Sequence, residues 1–310
     1  MPDIVIAFFA LGLCAGLVKS DLKVPASLYD TLSILLMLVL GLKGGLALHG
    51  KFSAPMLGEL VPVAALGVLV PLLCYPLLRR AVRLDADNAA SIAAHYGSVS
   101  AGTFAVVMAL AEQARWPLRP ETTLYLVMLE LPAIVVMLWL HRRLAGASAH
   151  GHGVLREALT SRGVLLLGGG VVIGYGYGPD GLAPLAPILI GGFKTMLALF
   201  LLEMGLCTAR VCTPFPARHW RLVVFAAAAP FALAWAGIGT GVLLGLPQGS
   251  TTVLAGLTAS ASYIAAPAAV RGAIPRADIG LAMLASLGVT FPVNIFIGLP
   301  LYARWVAGFY

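Results

Sequence analysis

Charge is what this 310-residue sequence has least of: Asp, Glu, Lys and Arg together make up 11% of it, against about 25% in a soluble domain. A chain so poor in charge cannot cover itself with polar surface in water, which excludes a soluble globular fold. Cysteine is also scarce. Of Cys14, Cys74, Cys207 and Cys212, only the last pair lies close in sequence, so neither a disulfide framework nor a zinc site follows. There is no P-loop, HExxH helix, GxSxG elbow or CxxC pair. ATP-driven pumping by this chain alone is thereby excluded, and no nucleophile–base pair or metal set offers itself for an intramembrane enzyme. The first residues, MPDIVIAFFALGLCAGLV, have no basic n-region and carry Asp3, which reads as a retained first span rather than a cleaved signal.

Apolar residues are plentiful. They make up 60% of the chain, enough for an integral membrane protein. The 35 glycines and 20 prolines agree, because membrane helices tolerate both and pack closely through small residues. Taking about 20 apolar residues per span, ten segments emerge: 4–18, 28–48, 54–79, 88–112, 122–141, 163–178, 185–209, 219–246, 250–272 and 278–304. The longest polar connection, 142–162 (HRRLAGASAHGHGVLREALTS), reads as a linker between halves. His150 and His152 within it are too few for a metal site.

The formal net charge of +7 points to topology rather than to nucleic acid, since the basic residues sit at segment ends. With the N-terminus outside, inward-facing connections hold Lys19, Lys23, Arg79, Arg80, Arg83, Arg142, Arg143, Arg156, Arg162, Arg210, Arg218, Arg221, Arg271 and Arg276, fourteen of the twenty Lys and Arg. Lys51, Arg115, Arg119 and Arg304 fall outside, and Lys43 and Lys194 lie in or near the membrane. The positive-inside rule therefore puts both termini outside the cell membrane and the linker in the cytoplasm.

The two halves resemble each other. NAASIAAHYGSVSAGT, ARWP and LVMLELPAIVVMLWLHRR follow one another in the first; GSTTVLAGLTASASYIAAP, GAIP and LASLGVTFPVNIFIGLPLYAR do so in the second. Ser98 and Ser100 then stand opposite Ser260 and Ser262, Pro117 opposite Pro275, Pro132 opposite Pro292, and Lys43 opposite Glu203. Five spans is an odd number, so the second repeat enters the membrane upside down. The expected fold is all-α: ten transmembrane helices in two inverted five-helix repeats, 1–144 and 163–310, joined by the linker 145–162. Secondary transporters share this plan and bind substrates at interrupted helices near the midplane.

Spans 4 and 9 carry the interruptions. Thr258 to Pro267 (TASASYIAAP) and Tyr96 to Thr103 (YGSVSAGT) are runs of small hydroxyl residues, and Pro267 removes a backbone donor and crowds the turn before it. Two half-helix N-termini meeting from inverted repeats form an anion site without Lys or Arg, through free N–H groups and the helix dipole. Hydroxyls of Ser98, Ser100, Thr103, Thr258, Ser260 and Ser262 add donors, and a small planar oxyanion fits such a site. Intramembrane ionisable groups are costly and functional, which marks Glu130, Glu203 and Lys43 as coupling candidates. Lys43 and Glu203 either pair or line the path separately. Asp30 and Glu59 read as interfacial. His95 reads as a helix residue beside the first break.

GLKGG at 41–45, GSVSAGT at 97–103, ASASYIAAP at 259–267, RGAIP at 271–275 and TFPVNIFIGLPLY at 290–302 resemble the sodium-dependent bicarbonate permeases of the cyanobacterial type, over essentially the whole chain. The resemblance implies crossed broken helices in a core domain beside a gate domain, a homotrimer, elevator-like movement, and sodium as driving ion without any other cofactor. It implies a bicarbonate site at Gly97, Ser98, Val99, Ser100, Ala259, Ser260, Ala261 and Ser262. The cation is expected near Ser100, Thr103 and Ser262. Where the family pattern has an aspartate after the last serine of the second break, this chain has Tyr263. Sodium must then rely on hydroxyls, backbone carbonyls and Glu130 or Glu203. A PII-like regulatory partner is implied on the cytoplasmic side, although this linker lacks the family's long Ser-rich insertion. The residues by themselves leave two alternatives: a proton- or sodium-coupled transporter of another small anion or carboxylate, and a receptor or scaffold that binds without transporting.

Overall fold

The computed structural model describes residues 4–50, 55–144, 160, 162–213 and 217–310. The chain begins with α1 (Ile4–Leu17), α2 (Ala26–Leu48) and α3 (Pro55–Leu77), the last continued by a π turn over Leu78–Val82. Two half-helices follow, α4 (Ala86–Gly97) and α5 (Ala101–Gln113). The 3₁₀ turn Pro120–Leu124 leads into α6 (Tyr125–Leu144). Next come α7 (Arg162–Leu182), the short α8 (Ala186–Leu189), α9 (Phe193–Val211) and α10 (Trp220–Leu243). The chain closes with half-helices α11 (Gln248–Thr258) and α12 (Ala265–Ala273) and the composite α13 (Ile279–Ala307).

No strand occurs among the described residues, and the ten apolar segments read from the sequence fall mostly on helix, those at 88–112 and 250–272 being interrupted. Among the described residues, seven helices are long and apolar enough to cross a membrane, as befits a multi-pass membrane protein. α1 is apolar but shorter, at 14 residues. In α7 the backbone leaves helical geometry at Gly178 (φ 63°), next to Pro179, which is where the sequence ended its sixth span. The linker lies almost wholly outside the described residues, His150 and His152 entirely so.

Small residues set the closest helix pairs. α2 lies along α7 and α1 along α9. Gly41 and Gly45 of α2 face Gly170 and Gly174 of α7, a Gly-x-x-x-Gly stripe on each side. A Cβ built on Gly170 would stand 2.9 Å from the Gly41 Cα, and one on Gly45 would overlap the Val171 carbonyl. Such stripes let backbones approach until dispersion and packing hold them, which is how helices associate where lipid offers no hydrophobic gain. The GLKGG motif is thus first of all a helix-crossing surface. On the α1–α9 contact, Gly12, Gly16 and Gly205 do the same work.

Around the half-helices the packing is different. α3 packs on α4 and α6, while α10 packs on α11, so both broken elements have an outer helix behind them. The stretch from Ala86 to Gln113 is buried nearly throughout, whereas α3 and α10 expose Leu69, Leu73, Val224 and Trp235 on their outer faces. Non-helical backbone at membrane depth survives only where protein encloses it. At the base of α4, Asp85 accepts the Asn88 backbone N–H at 2.9 Å and the Asn88 side-chain amide at 2.6 Å. Asn88 in turn accepts the Asp278 N–H at 2.7 Å, and Asp278 caps α13 through the Gly280 N–H at 2.8 Å. Partial burial works against the Asp85 charge, but the hydrogen bonds from Asn88 outweigh it and hold the carboxyl below the usual aspartate range.

Candidate functional site

α4 has 12 residues and α5 has 13, so at about 1.5 Å per residue each covers a little over half of a ~30 Å hydrocarbon core. The first break has no proline to cause it. α4 stops where Gly97 wedges against α6 and α3: a Cβ at Gly97 would lie 2.7 Å from the Ala133 Cβ and from Pro71. Ser98 then caps the helix, and Val99 takes φ +49°. A buried β-branched residue in the left-handed region is strained and persists only where its surroundings enforce it. Ser100 restarts the helix as N-cap, its Oγ accepting the Thr103 N–H at 3.0 Å. The second break is built differently. α11 ends at Thr258, and α12 starts at Ala265 with Pro267 in its first turn, where a missing N–H costs nothing. The Ser262 Oγ accepts the Ala266 N–H at 3.1 Å.

The two breaks touch. The Ser100 N–H donates to Ser260 Oγ at 2.8 Å, and the Ser262 N–H donates to the His95 carbonyl at 2.7 Å. Ser260 Oγ itself donates to the Leu257 carbonyl at 2.7 Å. From outside the breaks, the Asn294 amide of α13 donates to the Ala259 carbonyl at 2.7 Å, and Tyr302 fixes that amide by donating to Asn294 Oδ1 at 2.8 Å. Gly97, Ser98, Val99, Ser100, Ala259, Ser260, Ala261 and Ser262 are all buried and drawn into this one crossing. It brings the starts of α5 and α12 together, each with first-turn N–H groups that no helical carbonyl can satisfy.

Several buried polar atoms here lack a partner among the described residues. Ser98 Oγ, Thr103 Oγ1, Tyr263 OH, Glu130 Oε1 and, from α2, Ser33 Oγ make no hydrogen bond. Buried polar groups are paired in the large majority of cases, so a cluster of orphans around one crossing is a chemical signature of a polar ligand site. Ser33, Ala101, Gly102, Phe200 and Ile264 line a cavity of about 10 Å³ between α2 and the two half-helix starts. That is room for roughly one water.

Tyr263 has a defined place. Its hydroxyl lies over Gly102, where any Cβ would overlap it, and close to the Ser100 side chain. Its ring packs edge-on to Phe291 with centroids 5.3 Å apart. The tyrosine therefore covers the α5 N-terminus with a phenol, at the position where the resemblance led one to expect a carboxylate. Glu130, 2% exposed, sits one turn along α6 from Ala133, the residue that abuts Gly97.

The remaining sequence candidates lie elsewhere. Lys43 and Glu203 do not pair. Lys43 Nζ bonds Glu112 Oε1 at 2.6 Å and stands 4.9 Å over the Phe193 ring. Glu203 takes Arg210 at 3.4 Å and the Cys207 thiol at 3.2 Å on one oxygen, leaving Oε2 buried and unpartnered. The Thr258 hydroxyl donates to the Leu254 and Ala255 carbonyls and packs beside Gly237 of α10. Asp30 is exposed and pairs with Arg162 at 3.1 Å, as an interfacial residue does. Glu59, near the start of α3, is buried and bonded by the Tyr125 hydroxyl, with Arg119 at 3.8 Å. His95 bonds the Ser91 carbonyl at 2.7 Å through Nδ1, and its Nε2 is buried without a partner.

Sequence reading missed Ser33, Gly102, Asn294 and Tyr302. Ser33 is a single serine in an apolar span with nothing to mark it. Asn294 stood inside the TFPVNIFIGLPLY motif, and an amide in the middle of an apolar span was a signal that it served another backbone.

Comparison with models of known families matches residues 4–307 to one described as the Na+-dependent bicarbonate transporter superfamily. No curated protein matches the chain.

Proposed function

Because the chain belongs to the Na+-dependent bicarbonate transporter superfamily, we propose that it is a secondary active transporter that carries bicarbonate into the cell by symport with sodium. One observation carries this reading: two half-helix starts and a set of orphaned buried hydroxyls converge on one crossing inside the protein. Free N–H groups at a helix start suit an oxyanion. The substrate site would be Gly97, Ser98, Val99 and Ser100 with Ala259, Ser260, Ala261 and Ser262. Thr103, Ser100 and Ser262 would supply hydroxyls toward the cation, with Glu130, one turn along α6 from the residue that abuts Gly97, as a candidate carboxylate.

Two inverted five-helix repeats in a core and a gate remain the organising proposal. The mirrored pairing of α1 with α9 and α2 with α7, and of α3 with α4 and α10 with α11, supports it. A cavity of about 10 Å³ beside the half-helix starts has room for roughly one water, and a larger space for an anion at the crossing would come from movement of the half-helices, as in an elevator. Both termini outside, a cytoplasmic linker, a trimer and docking of a PII-like protein complete the proposal. The linker lies outside the described residues.

Uptake of labelled bicarbonate into proteoliposomes tests the reading. Accumulation is expected with an inward sodium gradient and is expected to be lost in both Ser100→Leu and Ser262→Leu. Uptake indifferent to sodium sinks the coupling; unchanged uptake in both variants sinks the site.

A second reading has protons as the driver. It rests on Tyr263 standing where a carboxylate is expected and on Glu130, a buried carboxyl without a counter-charge, which suits a bound proton as well as a cation. A proton gradient driving uptake without sodium would select it, and a panel of small carboxylates would show whether another anion is the cargo. Saturable binding without accumulation would instead identify a receptor.

A further inference from the structure

α3 and α10 flank a groove of about 640 Å³, within the usual range for a small-molecule site. Its walls are apolar: Leu73 and Leu77 from α3 face Val224 and Ala228 from α10. Leu73, Leu77 and Val224 are each more than half exposed, so in a membrane this groove opens to lipid. One end differs. Arg80 and Arg83, from the π turn after α3, meet Arg221 at the start of α10 there, with Trp220 beside them.

No ion pair involves Arg80, Arg83 or Arg221 among the described residues, and no carboxylate lines the groove. The nearest acids in sequence are otherwise engaged, Asp85 with Asn88 and Asp87 with His141 at 2.7 Å. Arg79 turns away to donate to the Leu84 carbonyl at 2.6 Å. The backbone is bent to place the cluster: the π turn ends with Arg83 in the left-handed region, φ +67°. π turns and left-handed non-glycine residues gather at functional sites. Arg221 is held over the Trp220 ring at 5.4 Å, and tryptophan prefers the headgroup level of a bilayer.

We infer that the groove between α3 and α10 binds an anionic phospholipid of the bilayer, its phosphate held by Arg80, Arg83 and Arg221 and an acyl chain laid between Leu73 and Ala228. Guanidinium forks match phosphate oxygens bidentately, and basic pockets between membrane helices recruit acidic headgroups. A zwitterionic lipid would fill the apolar part equally well but carry its own counter-charge. The bound lipid would brace the two helices that back the breaks, since α3 packs on α4 and α10 on α11.

The test uses the purified full chain in phosphatidylcholine discs with and without phosphatidylglycerol, reading bound lipid by native mass spectrometry and the thermal midpoint. The wild type is expected to retain phosphatidylglycerol over phosphatidylcholine and to melt higher with it. Each arginine contributes about tenfold or less to a nearby anionic headgroup, so R80Q/R83Q/R221Q is expected to weaken phosphatidylglycerol binding on the order of a hundredfold. Ala228→Trp fills the apolar part while leaving the arginines in place, and is expected to displace the lipid as well. Equal retention of the two lipids by the wild type overturns the proposal, as does undiminished phosphatidylglycerol binding by the triple variant. Should the triple variant fail to fold, the decision passes to Ala228→Trp, whose undiminished binding of phosphatidylglycerol overturns it equally.

Discussion

Tyr263 and Gly102 constrain each other: the phenol hydroxyl occupies the space a Cβ at residue 102 would need. Gly102→Ala must push the ring off the start of α5 and toward Phe291. Overpacking of this kind costs about 1–3 kcal/mol, read as a lower midpoint in thermal unfolding, and anion affinity is expected to fall about tenfold or more with it. Gly58→Ala is the control, because a Cβ there meets nothing within 4 Å; its midpoint should hold or rise. The Tyr263 hydroxyl lies close to the Ser100 side chain but makes no hydrogen bond of good geometry among the described residues, so Tyr263→Phe removes a poorly satisfied buried group and is expected to leave stability unchanged or raised. If that hydroxyl meets the travelling ion, uptake nevertheless falls, and a split between stability and uptake is what a merely structural tyrosine would not give. Glu130→Gln is expected to keep the fold and abolish ion-dependent accumulation; uptake at the wild-type rate with an unchanged ion requirement would remove Glu130 from the mechanism. The serines of both breaks were legible because hydroxyl runs in an apolar span are anomalous. What could not be read was which of them are spent on structure: Ser260 is bonded on both sides of its oxygen, while Ser98 is not bonded at all.

At the scale of elements, the second break announced itself through Pro267, whereas the first has no proline and arises from a wedge of Gly97 against Ala133 and Pro71. That contact is tertiary, and only the likeness of the two halves pointed to it. The amide of Asn294 holds the second break from α13, so Asn294→Leu leaves the Ala259 carbonyl and the Tyr302 hydroxyl buried without partners. A buried unsatisfied group costs about 1–3 kcal/mol, and the thermal midpoint is expected to drop accordingly; Tyr302→Phe, which removes only the outer partner, should drop it less. At the foot of α4 the sign with pH is fixed by Asp85. Its carboxyl is held below the usual range by Asn88, so its capping contribution is fully present above the ordinary aspartate range and is lost as pH falls through the lower folded value. Asp85→Ala is expected to cost about 0.5–1 kcal/mol near neutrality, the low end for a cap because the carboxylate is exposed, and nothing once the wild-type carboxyl is protonated.

For the molecule as a whole, composition pointed to a helical membrane protein, and the apolar runs fall mostly on helix, two of them interrupted. Pairing across the halves was the harder step. The glycines of GLKGG were visible, but that they meet Gly170 and Gly174 depends on a crossing between distant helices that no local pattern encodes. The expected correspondence of Lys43 with Glu203 showed the same gap, since equivalent places in two halves need not touch, and Lys43 instead reaches Glu112. That contact has a consequence for transport. Lys43 belongs to α2, which packs on α7, and Glu112 ends α5, which starts at the crossing. The 2.6 Å pair thus ties the half-helices to the part of the molecule they must move against if the small cavity is to open. With Glu112 about half exposed, the ion pair itself is worth little, on the order of 1 kcal/mol or less, so it marks a position without locking it. A covalent tie should lock it. Lys43→Cys with Glu112→Cys, in a background carrying Cys14→Ser, joined by a short reducible bifunctional thiol reagent, is expected to stop bicarbonate uptake and to regain it on reduction. Uptake that continues at full rate while the cross-link is intact would mean that α2 and α5 travel together, and the moving boundary would have to be sought on another face of the protein.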